Sequence, residues 1–278
     1  MTTATATATV TATAASSPLG RLLALGRAET TLLMRNRTAL FMALAMPLMM
    51  IGAVRSMLKQ VAQHSQGLDQ HAAMVNGVTG LILMFVVYYN LTAAYVARRG
   101  ELVLKRLRTG EATDLEILGG TAVPSVVLAL LQCAVLGVAA AAVLDLPAPV
   151  NPLLLMAGLG FAVVLLVALA ALSSAFTKSV ESAGITTLPV TLIAQFGSGL
   201  LIPLEVMPDQ LAAFCRALPT TPAFQLLRLG WFGTDGSAAA TDFAGTWAEA
   251  APHLGLAVAW TAAACWAARR WFRWEPRR

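Results

Sequence analysis

Apolar residues fall into six long runs, at 38–54, 77–97, 121–144, 153–177, 185–204 and 250–268. Within each run they are continuous rather than alternating with polar ones. Each run is close to the roughly 20 residues a helix needs to cross a bilayer. A membrane-spanning strand would alternate in polarity, and lipid offers a lone strand no hydrogen-bond partners. The pattern predicts an all-α membrane protein with six transmembrane helices. The first run is short, but Arg37 and Arg55 bracket it and can reach the interfaces with their side chains.

The segments outside these runs have distinct characters. Residues 1–17 are uncharged and Thr/Ala-rich, and a disordered tail is expected there. They lack the basic start and apolar core of a signal peptide. Residues 18–278 are expected to form a single transmembrane domain. Ahead of the first run, Leu19, Leu22, Leu23, Gly26, Thr30 and Leu33 share one helical face, which predicts a helix lying on the membrane surface. Between the fifth and sixth runs, prolines 208, 219 and 222 punctuate a segment expected to hold two short helices, about 209–218 and 223–231.

Charge sets the orientation. One side of the runs holds 15 Lys and Arg residues and the other holds 4, Arg55, Lys59, Arg216 and Arg228. The positive-inside rule places both termini in the cytoplasm of a multi-pass plasma-membrane protein. Trp266, Trp271 and Trp274 then stand at the inner end of the last run, where an aromatic belt is expected. Composition agrees: 58% of residues are hydrophobic, 12% are charged, and the mean hydropathy is +0.71. A soluble domain carries roughly 25% charged residues. No soluble basic face suggests nucleic-acid binding. The three cysteines, Cys133, Cys215 and Cys265, have neither metal-site spacing nor a disulfide pattern.

The largest cytoplasmic loop carries the most informative polar pattern. Across 99–108, Val103, Leu104 and Leu107 form one apolar stripe of a helix. Arg99, Glu101, Lys105, Arg106 and Arg108 spread over the remaining arc, and Glu101 and Lys105 make a favourable i,i+4 pair. A cationic amphipathic helix of this kind rests on anionic lipid or docks a soluble partner. Glu111, Asp114 and Glu116 follow it, and a lipid-binding patch has no need of those acids.

The chain from residue 18 onward resembles a permease (transmembrane) subunit of the type-2 ABC exporter family. The resemblance rests on KRLR at 105–108 with ILGG at 117–120, and on GSGLLIPLEVMPDQLAAFCRALPTTP at 197–222 with prolines 203, 208, 219 and 222. It implies an N-terminal interfacial helix, six spans, a coupling helix at 99–108 and short outer re-entrant helices between spans five and six. It also implies a cytoplasmic ATP-binding subunit and a second permease copy, identical or paralogous. ATP and Mg²⁺ would then sit on the ATP-binding subunit, and this chain would bind no cofactor or metal and catalyse no reaction.

The residues bear separately on the energy source. No ionisable side chain lies near the middle of a run, which weakens proton coupling but leaves sodium binding by backbone carbonyls open. Lys178 is the only lysine followed by Ser or Thr, and it lacks the glycines of a phosphate-binding loop. An ATPase partner is therefore expected, with an ion-coupled secondary transporter as the alternative. A membrane anchor or sensor, and a hydrolase built on Ser198 and His253, are further readings. Candidates for the substrate path are Phe85, Tyr88, Tyr89 and Asn90 in the second run and Thr187, Thr191, Gln195 and Ser198 in the fifth. An uncharged path suits a drug, an antibiotic or a lipid-like amphiphile better than an ion.

Overall fold

A computed structural model of the chain describes residues 70–109, 113–144, 146–237 and 239–275, together with Gly20, Arg27, Thr31 and Met49. The expected tail, the expected surface helix before the first run and the run at 38–54 lie outside the described residues, those four positions apart.

All regular structure among the described residues is helical. Helix α1 (Gln70–Ile82) passes through a π-helical segment (Leu83–Tyr89) into α2 (Asn90–Gly100). A short α3 (Val103–Arg108) precedes the long α4 (Asp114–Leu144) and α5 (Pro152–Phe176). Then come α6 (Ala183–Gly197), a 3₁₀ turn (Leu204–Val206), α7 (Asp209–Arg216), α8 (Thr221–Phe232) and α9 (Gly245–Trp271). Among the described residues, three rods are long and apolar enough to cross a membrane: Ala73–Gly100, Asp114–Ala142 and Pro152–Phe176. Helix α9 has 27 residues, which at 1.5 Å each reaches about 40 Å. It is less apolar than those three rods, and it carries Pro252, His253 and several tryptophans.

Two expected boundaries move. The helix of the fifth run has only 15 residues, Ala183–Gly197, and ends there instead of continuing to 204. Gly199 takes a φ of +74°, a left-handed conformation that suits glycine, and the chain turns there. The helix expected over 99–108 is divided. Leu102 adopts a φ of +60°, so Arg99 belongs to α2 and α3 begins at Val103.

Helix α5 lies at the centre, packed on α8, α9, α2 and the π segment. Asn151 starts it. Its side-chain oxygen accepts from Leu154 N (3.1 Å), and Pro152 fills the first helical position, where a missing N–H costs nothing. The Asn151 amide also donates to Thr246 Oγ1 (2.9 Å), which fixes the start of α9 beside the start of α5. Small residues let α5 and α8 meet backbone to backbone. A Cβ on Gly158 would come within 2.7 Å of Leu227 N, and one on Gly230 within 2.4 Å of Leu155 N.

This contact yields a paired prediction. Gly158→Ala should destabilise the purified chain by about 1–3 kcal/mol, because backbone atoms of α8 cannot step aside. A methyl group added at Gly160 would meet no atom within 4 Å, so Gly160→Ala should be neutral or stabilise by up to about 1 kcal/mol. Unfolding in mild detergent reads both, and equal effects would contradict the close α5–α8 crossing.

Candidate functional site

The region between the first and second rods is built around Arg99. This arginine is only 1% exposed. Its Nη1 donates to Ser174 O (2.8 Å) and its Nη2 to Thr177 O (2.6 Å). It thereby satisfies carbonyls at the C-terminus of α5 and places a positive charge at the negative end of that helix. Arg99 is therefore an internal anchor and is not available to a docking partner. Tyr95, one turn earlier, donates from its hydroxyl to Leu118 O (2.9 Å), which ties α2 to α4.

Helix α3 follows after the left-handed turn at Leu102. Leu104 is buried and Val103 and Leu107 are half-buried, so the apolar stripe faces the bundle. Glu101, Lys105, Arg106 and Arg108 are exposed. Two of these cations have partners. Lys105 Nζ lies 2.7 Å from Glu275, and Arg108 Nε lies 3.1 Å from Asp114. The Arg108 guanidinium also sits 4.8 Å above the Trp274 ring, while Phe272 packs edge-on against Tyr95 and Trp274. Of the three cations on α3, Arg106 alone has a side chain with no partner among the described residues. A polar groove runs along this surface between Lys105, Arg108, Thr109, Arg273, Trp274 and Glu275.

Two features here escaped the sequence reading. Two of the acids that follow the helix, Asp114 and Glu116, have structural partners. Glu116 accepts from Thr113 N (2.6 Å) and Thr113 donates its hydroxyl to the same carboxylate, a capping box that starts α4, while Asp114 holds Arg108. The Thr-x-x-Glu spacing signals this box. The second feature is the return of residues 272–275 onto α3. It puts Trp274 beneath Arg108, where the sequence placed it in an aromatic belt.

The path candidates divide in two. Tyr88 is buried, and its hydroxyl hydrogen-bonds Ser173 of α5 (2.8 Å), so it belongs to the core. Phe85 is 40% exposed, Asn90 is exposed, and Tyr89 stands beside Gly184 at the start of α6. These residues lie in or next to the π segment, where the widened turn lets Asn90 N–H reach Phe85 O. No glycine or proline announces that segment in the sequence. On α6, Thr187 is buried with its hydroxyl on Ala183 O (2.8 Å), and Thr191 donates to Thr187 O (3.0 Å). Gln195 is 3% exposed, and both atoms of its amide lack a hydrogen-bond partner among the described residues. Ser198 joins a buried hydroxyl cluster with Thr220 (2.6 Å) and Thr221 (3.1 Å).

His253 does not meet Ser198. Its Nε2 is 3.0 Å from Asp235 Oδ2, and this hydrogen bond holds the Asp235 carboxyl below the usual carboxylate range. A serine–histidine dyad is not formed.

Fold and site together describe a helical membrane protein with a cationic helix presented at one end. The family model for the ABC-2 type transporter matches residues 20–232. The chain belongs to this family, as a permease subunit of a type-2 ABC transporter. A comparison with curated proteins returns no match for the chain.

The anchor can be tested. Arg99→Lys keeps the charge but cannot reproduce the forked pair of donors, and it should cost about 1–3 kcal/mol of stability. Hydrogen exchange should rise at the end of α5. Unchanged protection there would contradict the capping role.

Proposed function

We propose that the chain is the membrane-spanning half of an ATP-driven exporter of amphiphilic molecules, with six spans and both termini in the cytoplasm. In this reading α9 and the run at 38–54 complete the six spans, and 209–232 forms the outer re-entrant helices. The ATP-binding subunit docks on α3 and carries the ATP and Mg²⁺. A second permease copy faces the π segment and α6.

The observation that carries this reading is the way α3 is mounted. Its apolar stripe is packed inward and its cations point outward, so it presents a charged surface. It is also connected mechanically. The Glu101–Leu102 turn joins it to α2, which Arg99 fastens to the end of α5. The Arg108–Asp114 pair joins it to the start of α4. A push on α3 from a closing ATPase pair would therefore act on three long rods together. The exposed pairs contribute little stability by themselves, on the order of 0–1 kcal/mol each, which suits a surface that must rearrange with a partner.

The exposed Asn90 and the half-exposed Phe85 support a path alongside the π segment. Short π insertions recur at functional sites. An exposed asparagine within an apolar rod would be poorly solvated by lipid, so it is better matched by a second subunit or a substrate.

The docking assignment predicts that a soluble ATPase co-purifies with the chain in mild detergent and is lost when Lys105 and Arg106 are both changed to Glu. The Lys105→Glu/Glu275→Lys exchange should restore the internal pair, while Arg106→Glu has no internal rescue. A clean preparation with no ATPase, together with flux that follows an imposed ion gradient, would favour an ion-coupled carrier. For the path, Thr191→Trp should sharply reduce efflux while leaving the complex intact, and wild-type efflux would contradict it.

A further inference from the structure

A cavity of about 610 Å³ lies between α1, α4, α5 and α8, at the opposite end of the long rods from α3. It is separate from the candidate path on the π segment and α6. Its walls are mostly alkyl, with Val75, Leu130, Leu159 and Leu227 among the lining residues. Val138 and Met156 also line it and are 71% and 63% exposed, so the cavity is continuous with the outer apolar surface of the bundle. In a membrane-embedded chain that surface faces lipid tails.

Polar groups in this cavity are few. Asn76 lines it and is 4% exposed, and its side-chain amide makes no hydrogen bond to any described residue. The Trp231 indole N–H and Arg228 Nε are buried without acceptors among the described residues. The charge of Arg228 is matched by Glu205, with which it forms an ion pair. The site therefore has no spare cation for a carboxylate or phosphate. It does have an unused amide that can donate and accept in an apolar enclosure, where an unmet polar group is costly. A ligand with one hydrocarbon chain and an uncharged ester or hydroxyl fits both features, and the volume lies in the range of small-molecule sites.

We infer that this cavity is a lateral binding site for one acyl chain of a bilayer glycerolipid, with the ester group of the chain at Asn76. The inference rests on membrane embedding alone and needs neither nucleotide nor the ATPase. Its failure would therefore leave the transport reading standing, and the reverse also holds.

The test uses the full chain in phosphatidylglycerol nanodiscs with a diazirine-bearing monoacylglycerol as probe. Adducts should concentrate on the segments 130–141, 153–159 and 227–232. They should fall at least about tenfold when Ala134→Phe or Ala141→Phe fills the cavity. Asn76→Leu should weaken labelling by the ester probe and spare labelling by an alkyl diazirine that has no head. Circular dichroism and thermal unfolding identify a variant that fails to fold, and the other filling variant then takes its place. Glycerolipid that stays with the wild-type chain through detergent exchange, and is lost in the filled variants, would support the site. Adducts spread evenly over exposed residues such as Ile185 and Leu192, with no response to filling, would overturn it. So would a cross-link from this cavity to a second copy of the chain that excludes the probe.

Discussion

A long apolar helix can be placed against lipid only if its terminal peptide groups find partners, and α5 meets this demand at both ends with buried side chains. Asn151 closes the N-terminus and Arg99 closes the C-terminus. Each cap also performs a second task. Asn151 sets α9 beside α5 through Thr246. Arg99 comes from a different rod, so the same bonds that finish α5 fix the height and rotation of α2 against it. With α5 held, the glycine contacts to α8 determine how closely the bundle closes.

The same constraint explains how one end of the molecule can respond as a unit. The charged surface of α3 is linked through short polar contacts to α2, α4 and the returning 272–275 segment. These contacts are exposed and individually weak, whereas the Arg99 bonds beneath them are buried and short. The arrangement is a loosely held outer face on a firmly held frame. Under the proposed docking, a partner that rearranges the outer contacts would displace the ends of rods whose own termini stay satisfied. The opposite end is more open, with an apolar cavity where α4 and α5 diverge and a hydroxyl cluster around Ser198 that closes the turn after α6.

Three of the six expected runs are legible as rods because lipid imposes a simple rule on composition. Runs at 77–97, 121–144 and 153–177 correspond to the rods Ala73–Gly100, Asp114–Ala142 and Pro152–Phe176. Helices also occupy the two short segments expected between prolines 208 and 222 and the residues that follow. The misread features depend on local geometry or distant contacts. Glycine at 199 was visible, but its left-handed backbone and the early end of α6 were not. The amphipathic wheel treated 99–108 as uniform and so put Arg99 on the outside. A leucine at φ +60° breaks that wheel, and no propensity points to Leu102. The π segment came without a marker, and the burial of Tyr88 against Ser173 depends on a partner 85 residues away. The Thr-x-x-Glu spacing at 113–116 marks the capping box, a local signal that explains two of the residues at the start of α4 without any partner.

The central claim is that α3 is the surface through which a soluble ATPase drives this permease. Its most direct test is a photoreactive amino acid placed at position 106, the exposed cation on α3 whose side chain has no internal partner among the described residues, followed by irradiation in the native membrane. The account predicts a discrete adduct with an ATP-binding protein, altered when a non-hydrolysable nucleotide is present. Adducts with lipid alone, at full expression of the chain, would contradict it.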